Sequence, residues 1–181
     1  MPRYVAFLRA INVGGRRVKM DHLRKLFEAL GFVNVETFIA SGNVIFDSDE
    51  DSQPLERKVE RHLQASLGYE VATFVRTVSE LADVARYRPF DPSHLDVEGN
   101  ALYIAFLHAA PSVEAEQKLK DLRTEVDDFR VNKLEVYWLC RKKISESAFS
   151  GALLEKTLGV PATIRNATTI KRLTAKYPAP M

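Results

Sequence analysis

Residues 3–11 read RYVAFLRAI and residues 101–108 read ALYIAFLH, and the likeness between these two stretches decides the fold. Val5-Ala6-Phe7-Leu8 lines up with Ile104-Ala105-Phe106-Leu107. Each stretch is nearly continuous in apolar, β-forming residues, as a strand buried on both faces would be. The question is whether the elements that follow each strand also repeat.

They do. After the first strand, Leu23, Leu26, Phe27 and Leu30 recur at i, i+3, i+4 and i+7, one face of a helix. Asp21 is placed to cap its start and Gly31 to end it. VNVETFIA and NVIFDS read as strands joined through Ser41-Gly42. Leu55, Val59, Leu63 and Leu67 mark a second helix, with Pro54 in its first turn and Gly68 closing it. EVATFVRT is a strand, and Ser79 caps a short helix through Leu81, Val84 and Ala85. The order is βαββαβα. In the second half a helix carries Ala115, Leu119, Leu122 and Val126, and FRV and LEVYWLC form a hairpin around Asn132-Lys133. A helix ends in Leu158-Gly159, matching Leu67-Gly68. The strand PATIRN and the helix TTIKRLTAKY complete the same order.

The fold class read from this pattern is α+β, a tandem duplication of ferredoxin-like βαββαβ units of about 80–90 residues. Each unit has an antiparallel sheet with helices packed on one face. RYRPFDPSHLDVEGN, with its prolines, glycine and lack of periodicity, is the connector. The expected division is residues 1–90, a linker at 91–100, and residues 101–181. Packing the halves together is the simplest cover for the open sheet faces.

Bulk properties narrow the function classes. A chain of 181 residues can bury a sizeable core without disulfides or metal. Cys140 is the only cysteine, so no internal disulfide forms, which suits a reducing cytoplasm. The four histidines share no ligand spacing, so neither a metal site nor a cofactor is expected. No run reaches the roughly 18 apolar residues of a membrane span. The start, MPRYVAFLRAI, is charged too early for a signal peptide. With 26 Lys+Arg against 24 Asp+Glu, attraction for anions must be local.

One place concentrates it. LRAINVGGRRVKM, residues 8–20, turns on two glycines and ends in three cations. In a ferredoxin-like sheet this turn and the hairpin between the second and third strands leave from the same edge. That gathers Arg9, Asn12, Gly14, Gly15, Arg16, Arg17, Lys19, Ser41 and Asn43 on one rim. Adjacent glycines with positive φ let backbone N–H groups converge on an anion, and arginine supplies forked donors for phosphate. Neither standard phosphate-loop spacing is present. In the second half Arg165 and Asn166 fall late in the last strand, at the opposite edge of their own unit. Cys140 alternates with Trp138 and Val136 and reads as a buried, inert thiol.

The blocks LRAINVGG, ASGNVIF and TIRNATTIKRL resemble the signature blocks of a bacterial family, domain of unknown function 1697, in order and over essentially the whole chain. The resemblance implies a cytoplasmic protein of two α/β halves, with no established activity, substrate or cofactor. Family members usually carry glycine where this chain has Ala10, which implies that φ need not be positive there.

Three functions compete. The leading one is binding of a phosphate-bearing ligand, a nucleotide or nucleic acid, at the Gly14-Gly15 turn. The second is an enzyme that orients its substrate with Asn12, Ser41, Asn43, Arg165 and Asn166; it lacks a general base. The third is a structural or protein-interaction module. The sequence names no protein partner.

Overall fold

The computed structural model describes residues 1–12, 15–39 and 42–181. The chain forms two compact units, Met1–Ala82 with Lys176–Met181, and Asp83–Ala175. This division differs from the one read from the sequence at both borders. The first unit ends ahead of the 91–100 connector, and the last segment of the chain returns to it.

In the first unit the elements are β1 (Arg3–Leu8), α1 (Met20–Glu28), β2 (Val33–Thr37), β3 (Asn43–Asp47), α2 (Ser52–Leu67) and β4 (Thr73–Thr77). Helix α3 (Val78–Arg86) follows directly. The second unit holds α4 (Pro92–Leu95), β5 (Ala101–Phe106), α5 (Val113–Asp121), β6 (Asp127–Asn132), β7 (Glu135–Cys140), α6 (Gly151–Leu158), β8 (Thr163–Asn166) and α7 (Ala167–Lys176), which runs up to the returning segment. Each unit has one four-stranded antiparallel sheet, ordered β2-β3-β1-β4 and β6-β7-β5-β8. Among the described residues no helix is long and apolar enough to cross a membrane.

The halves agree down to single backbone bonds. Val5 pairs with Arg76 and Ile104 with Arg165. Both arginines donate from one guanidinium nitrogen to the preceding carbonyl, Val75 and Ile164, at 3.0 Å. Phe7 pairs with Asn43 and Phe106 with Glu135, two buried polar residues at the same place in the ladder. Just beyond, Leu8 N–H donates to the Gly42 carbonyl and Leu107 N–H to the Leu134 carbonyl. Gly68 and Gly159 both end their helices in the left-handed conformation. Two similar halves of this kind fit a duplication.

Each sheet packs helices against one face. Tyr4, Ala6 and Leu8 join Leu23, Phe27, Leu55, Val59 and Leu63 in the core of the first unit. Ala105, Leu107, Trp138 and Cys140 join Leu119, Leu154 and Leu158 in that of the second. On the other side of the pleat Val5, Phe7, Ile104 and Phe106 are buried too. That is why the central strands read as continuous apolar runs with no alternation.

Local details depart from the sequence reading in four places. Helix α1 starts at Met20, with Lys19 at the capping position, and no side chain caps it; Asp21 lies inside its first turn. The cap of α3 is Thr77, one residue before the helix. Its hydroxyl accepts from Glu80 N–H, and Glu80 accepts from Thr77 N–H, the reciprocal capping box. Ser79 therefore sits within the helix. Helix α5 stops at Asp121, because the Thr124 hydroxyl accepts from Val126 and Asp127 N–H and turns the chain into β6. Leu122 and Val126 still pack on the core, so apolar spacing outlasts the helix. Finally, Ala10 has φ +54°, contrary to the reading that alanine there needs no left-handed backbone.

Two anchoring devices were not legible as such. Asp127 is 3% exposed, accepts from Trp138 Nε1–H at 2.7 Å and from the Ser147 hydroxyl at 2.6 Å, and so ties the chain after β7 to the core. In the first unit the Tyr177 hydroxyl donates to Glu36 on β2 at 2.6 Å, and its ring meets Phe38 edge-on. Burial beside Glu36 pushes the Tyr177 phenol well above its ordinary value.

Two stability changes are expected. Left-handed alanine costs about 1 kcal/mol relative to glycine, so Ala10→Gly should raise the urea-unfolding free energy by about that amount. A fall would contradict the assigned backbone. Asp127→Ala strands two donors, one of them buried, and should cost about 2–4 kcal/mol. A loss under about 0.5 kcal/mol would mean the carboxylate anchors nothing.

Candidate functional site

Within the first unit the end of β1 and the start of β3 lie side by side, and the backbone explains why. Strand β1 lies between β3 and β4, so its carboxyl end abuts the start of β3. Leu8 N–H meets the Gly42 carbonyl at 2.9 Å on one side, and Arg9 N–H meets the Ala72 carbonyl at 2.9 Å on the other. The chain then turns at Ala10 and drops Ile11 back into the core, where it is 2% exposed. Val18, 7% exposed, re-enters the core ahead of α1. Asn12 closes the neck of this excursion: its Oδ1 accepts from Val18 N–H at 2.8 Å. Gly15, Arg16 and Arg17 lead into the Val18 end of this bond.

These three residues are exposed. Gly15 has φ +82°, a conformation in which side chains are strained. Arg16 lies over the Tyr69 ring, 4.3 Å from its centroid, a cation–π contact that fixes the direction of this cation. Tyr69 follows the helix-ending Gly68, and its hydroxyl reaches toward the Ile11 carbonyl at 3.4 Å. Sequence reasoning does not single out Tyr69; its place immediately after the helix-ending Gly68 was the available signal. Arg17 and Lys19 are exposed on the same loop, and Arg9 is exposed at its root. The loop leads into α1, whose first turn no side chain caps. Loop cations and an uncapped helix start together favour negative charge.

The remaining predicted site residues divide. Gly14 and Ser41 lie outside the described residues. Asn43 is on the rim but fully buried, and its amide donates to the Phe38 carbonyl at 2.9 Å, bracing the hairpin from within. Arg165 and Asn166 belong to the second unit. Asn166 accepts from Thr168 N–H at 2.9 Å and so caps α7, as Thr77 caps α3. Arg165 donates to the Thr163 hydroxyl at 2.8 Å and to the Ile164 carbonyl. Loss of hydration on burial lowers its guanidinium to about 10. Both residues have structural work in β8.

Elsewhere the chemistry is quiet. Cys140 is fully buried, donates to the Lys142 carbonyl at 3.1 Å, and has its thiol pushed up by loss of hydration. It is an inert thiol. Among the described residues no group of three or more His, Cys, Asp or Glu could hold a metal ion.

Comparison with known proteins places the fold. The chain is similar to the conserved bacterial protein SP0830 from Streptococcus pneumoniae, with a TM-score of 0.76 and 24% identity over 99% of each chain. At that identity the likeness speaks for the fold alone. No curated protein sequence matches the chain. The sequence profile of one family, described as protein of unknown function DUF1697, matches residues 1–137, three-quarters of the length and including the whole rim. The chain belongs to the DUF1697 family.

Proposed function

We infer that this protein, built as a cytoplasmic, duplicated ferredoxin-like fold, binds a phosphate-bearing ligand at the pinned loop after β1. The observation that carries this is the state of Arg16, Arg17 and Lys19. They are exposed on a loop held by Ile11, Val18 and the Asn12–Val18 bond, and Arg16 is braced on Tyr69. A loop pinned in this way loses little further freedom when a ligand arrives, so its charges are well used. An arginine laid along an aromatic face keeps its outer edge available for an oxyanion. No side chain occupies the cap of α1, although the Asp21 carboxylate stays within its first turn.

The enzymatic alternative has less support. The amide of Asn43 is turned inward, Asn166 caps a helix, and Asn12 closes the loop neck. Each of these amides commits at least one of its hydrogen-bonding groups to the fold. They are better read as the scaffold of the loop and of β8.

A titration with a fluorescent nucleoside triphosphate and with a short oligonucleotide tests the reading. Two charge-assisted contacts are each worth about a factor of ten. Arg16→Ala with Arg17→Ala should therefore weaken binding about a hundredfold and leave the melting temperature nearly unchanged. A nucleic-acid ligand would add a steep loss of affinity with salt; a ligand held through one phosphate would not. Equal binding by the double variant and the parent chain would remove the loop from the function.

A further inference from the structure

The outer face of α2 carries a second concentration of positive charge, separate from the loop. Arg57, Lys58, Arg61 and His62 stand at i, i+1, i+4 and i+5, on one side of the helix. With Gln53 and Pro54 they line a surface depression. Lys58 is engaged: it pairs with Glu50 and lies over the Phe32 ring at 5.2 Å. Arg57 and Arg61 are exposed and make no ion pair among the described residues. Like charges one turn apart repel, so an arginine pair left without acids is a local cost to the helix. Beside them, His62 has a ring nitrogen, Nε2, that is shut off from solvent and has no hydrogen-bond partner among the described residues. A polar atom buried in that way is also a cost. A bound anion would neutralise the arginine pair, and His62 lines the same depression.

We propose that this depression is a second anion site, for a small molecule carrying two or more adjacent phosphates. Arg57 and Arg61 are one turn apart, about 6 Å along the helix axis. Their forked donors can therefore close on one short phosphate chain from two sides. The site stands independently of the loop after β1: it shares no residue with it and uses a different element.

Calorimetric titration with pyrophosphate, inorganic phosphate and adenosine diphosphate, each at matched ionic strength, tests the proposal. Pyrophosphate should bind more tightly than inorganic phosphate. Arg57→Gln with Arg61→Gln should weaken it about tenfold or more at an unchanged melting temperature, since both side chains are exposed. Arg16→Ala with Arg17→Ala should keep this binding, which separates a failure here from a failure of the loop. Adenosine diphosphate bound more tightly than pyrophosphate would identify the ligand as a nucleotide. Equal affinities would mean that the phosphates alone are read. Pyrophosphate binding no stronger than inorganic phosphate, or unaltered in Arg57→Gln with Arg61→Gln, would overturn the site. So would binding of an oligonucleotide with none of pyrophosphate.

Discussion

Gly42 sits closer to the end of β1 than a residue with a side chain can. A Cβ built there would lie 2.9 Å from Ile11 Cγ2 and 3.2 Å from Leu8 Cβ, and its φ of +81° already disfavours any other residue. That close approach lets the Gly42 carbonyl take the Leu8 N–H, so the hairpin tip is bonded to β1 where the sheet ends. It also seats Ile11 in the core. With Ile11 seated ahead of this segment and Val18 behind it, Arg16 and Arg17 face solvent. The placement of charge at the rim thus descends from one backbone contact.

Much of this was legible in the sequence. The repeat of VAFL and IAFL, the helix faces and the paired Leu-Gly endings reported both halves because they are set by burial and by left-handed helix ends, which leave strong periodic signals. The meeting of the first turn with the hairpin followed from strand order. What was not legible was local. The choice of Thr77 over Ser79 depends on which hydroxyl meets Glu80, and the end of α5 depends on the Thr124 turn, while the apolar spacing runs on past it. Ala10 misled for a related reason: alanine disfavours left-handed backbone, but the neighbouring bonds of Arg9 to Ala72 and of Leu8 to Gly42 over-determine the turn.

The candidate site was legible as charge and less so as roles. Arg16, Arg17 and Lys19 announce themselves beside glycine, but Tyr69 reaches the loop from far along the chain and no spacing rule brings it there. Asn12, Asn43 and Asn166 read equally well as ligand-binding amides or as structural ones. In the fold each makes a bond to backbone, because turns, hairpins and helix starts leave groups that a nearby amide can satisfy. The buried arginines of β4 and β8 carry the same lesson in both halves: a charged residue in a buried strand need not mark a site when it bonds its own backbone.

The most direct test of the pinned-loop geometry is amide hydrogen exchange at Leu8 and Val18 in Gly42→Ala. The added methyl group must push Ile11 or the end of β1 aside at strained φ, for a loss of about 2 kcal/mol or more. Leu8 N–H should lose the Gly42 carbonyl, and Val18 N–H the Asn12 oxygen, so both should exchange faster than in the parent chain. Unchanged stability with unchanged protection at both amides would contradict the claim that this contact sets the loop.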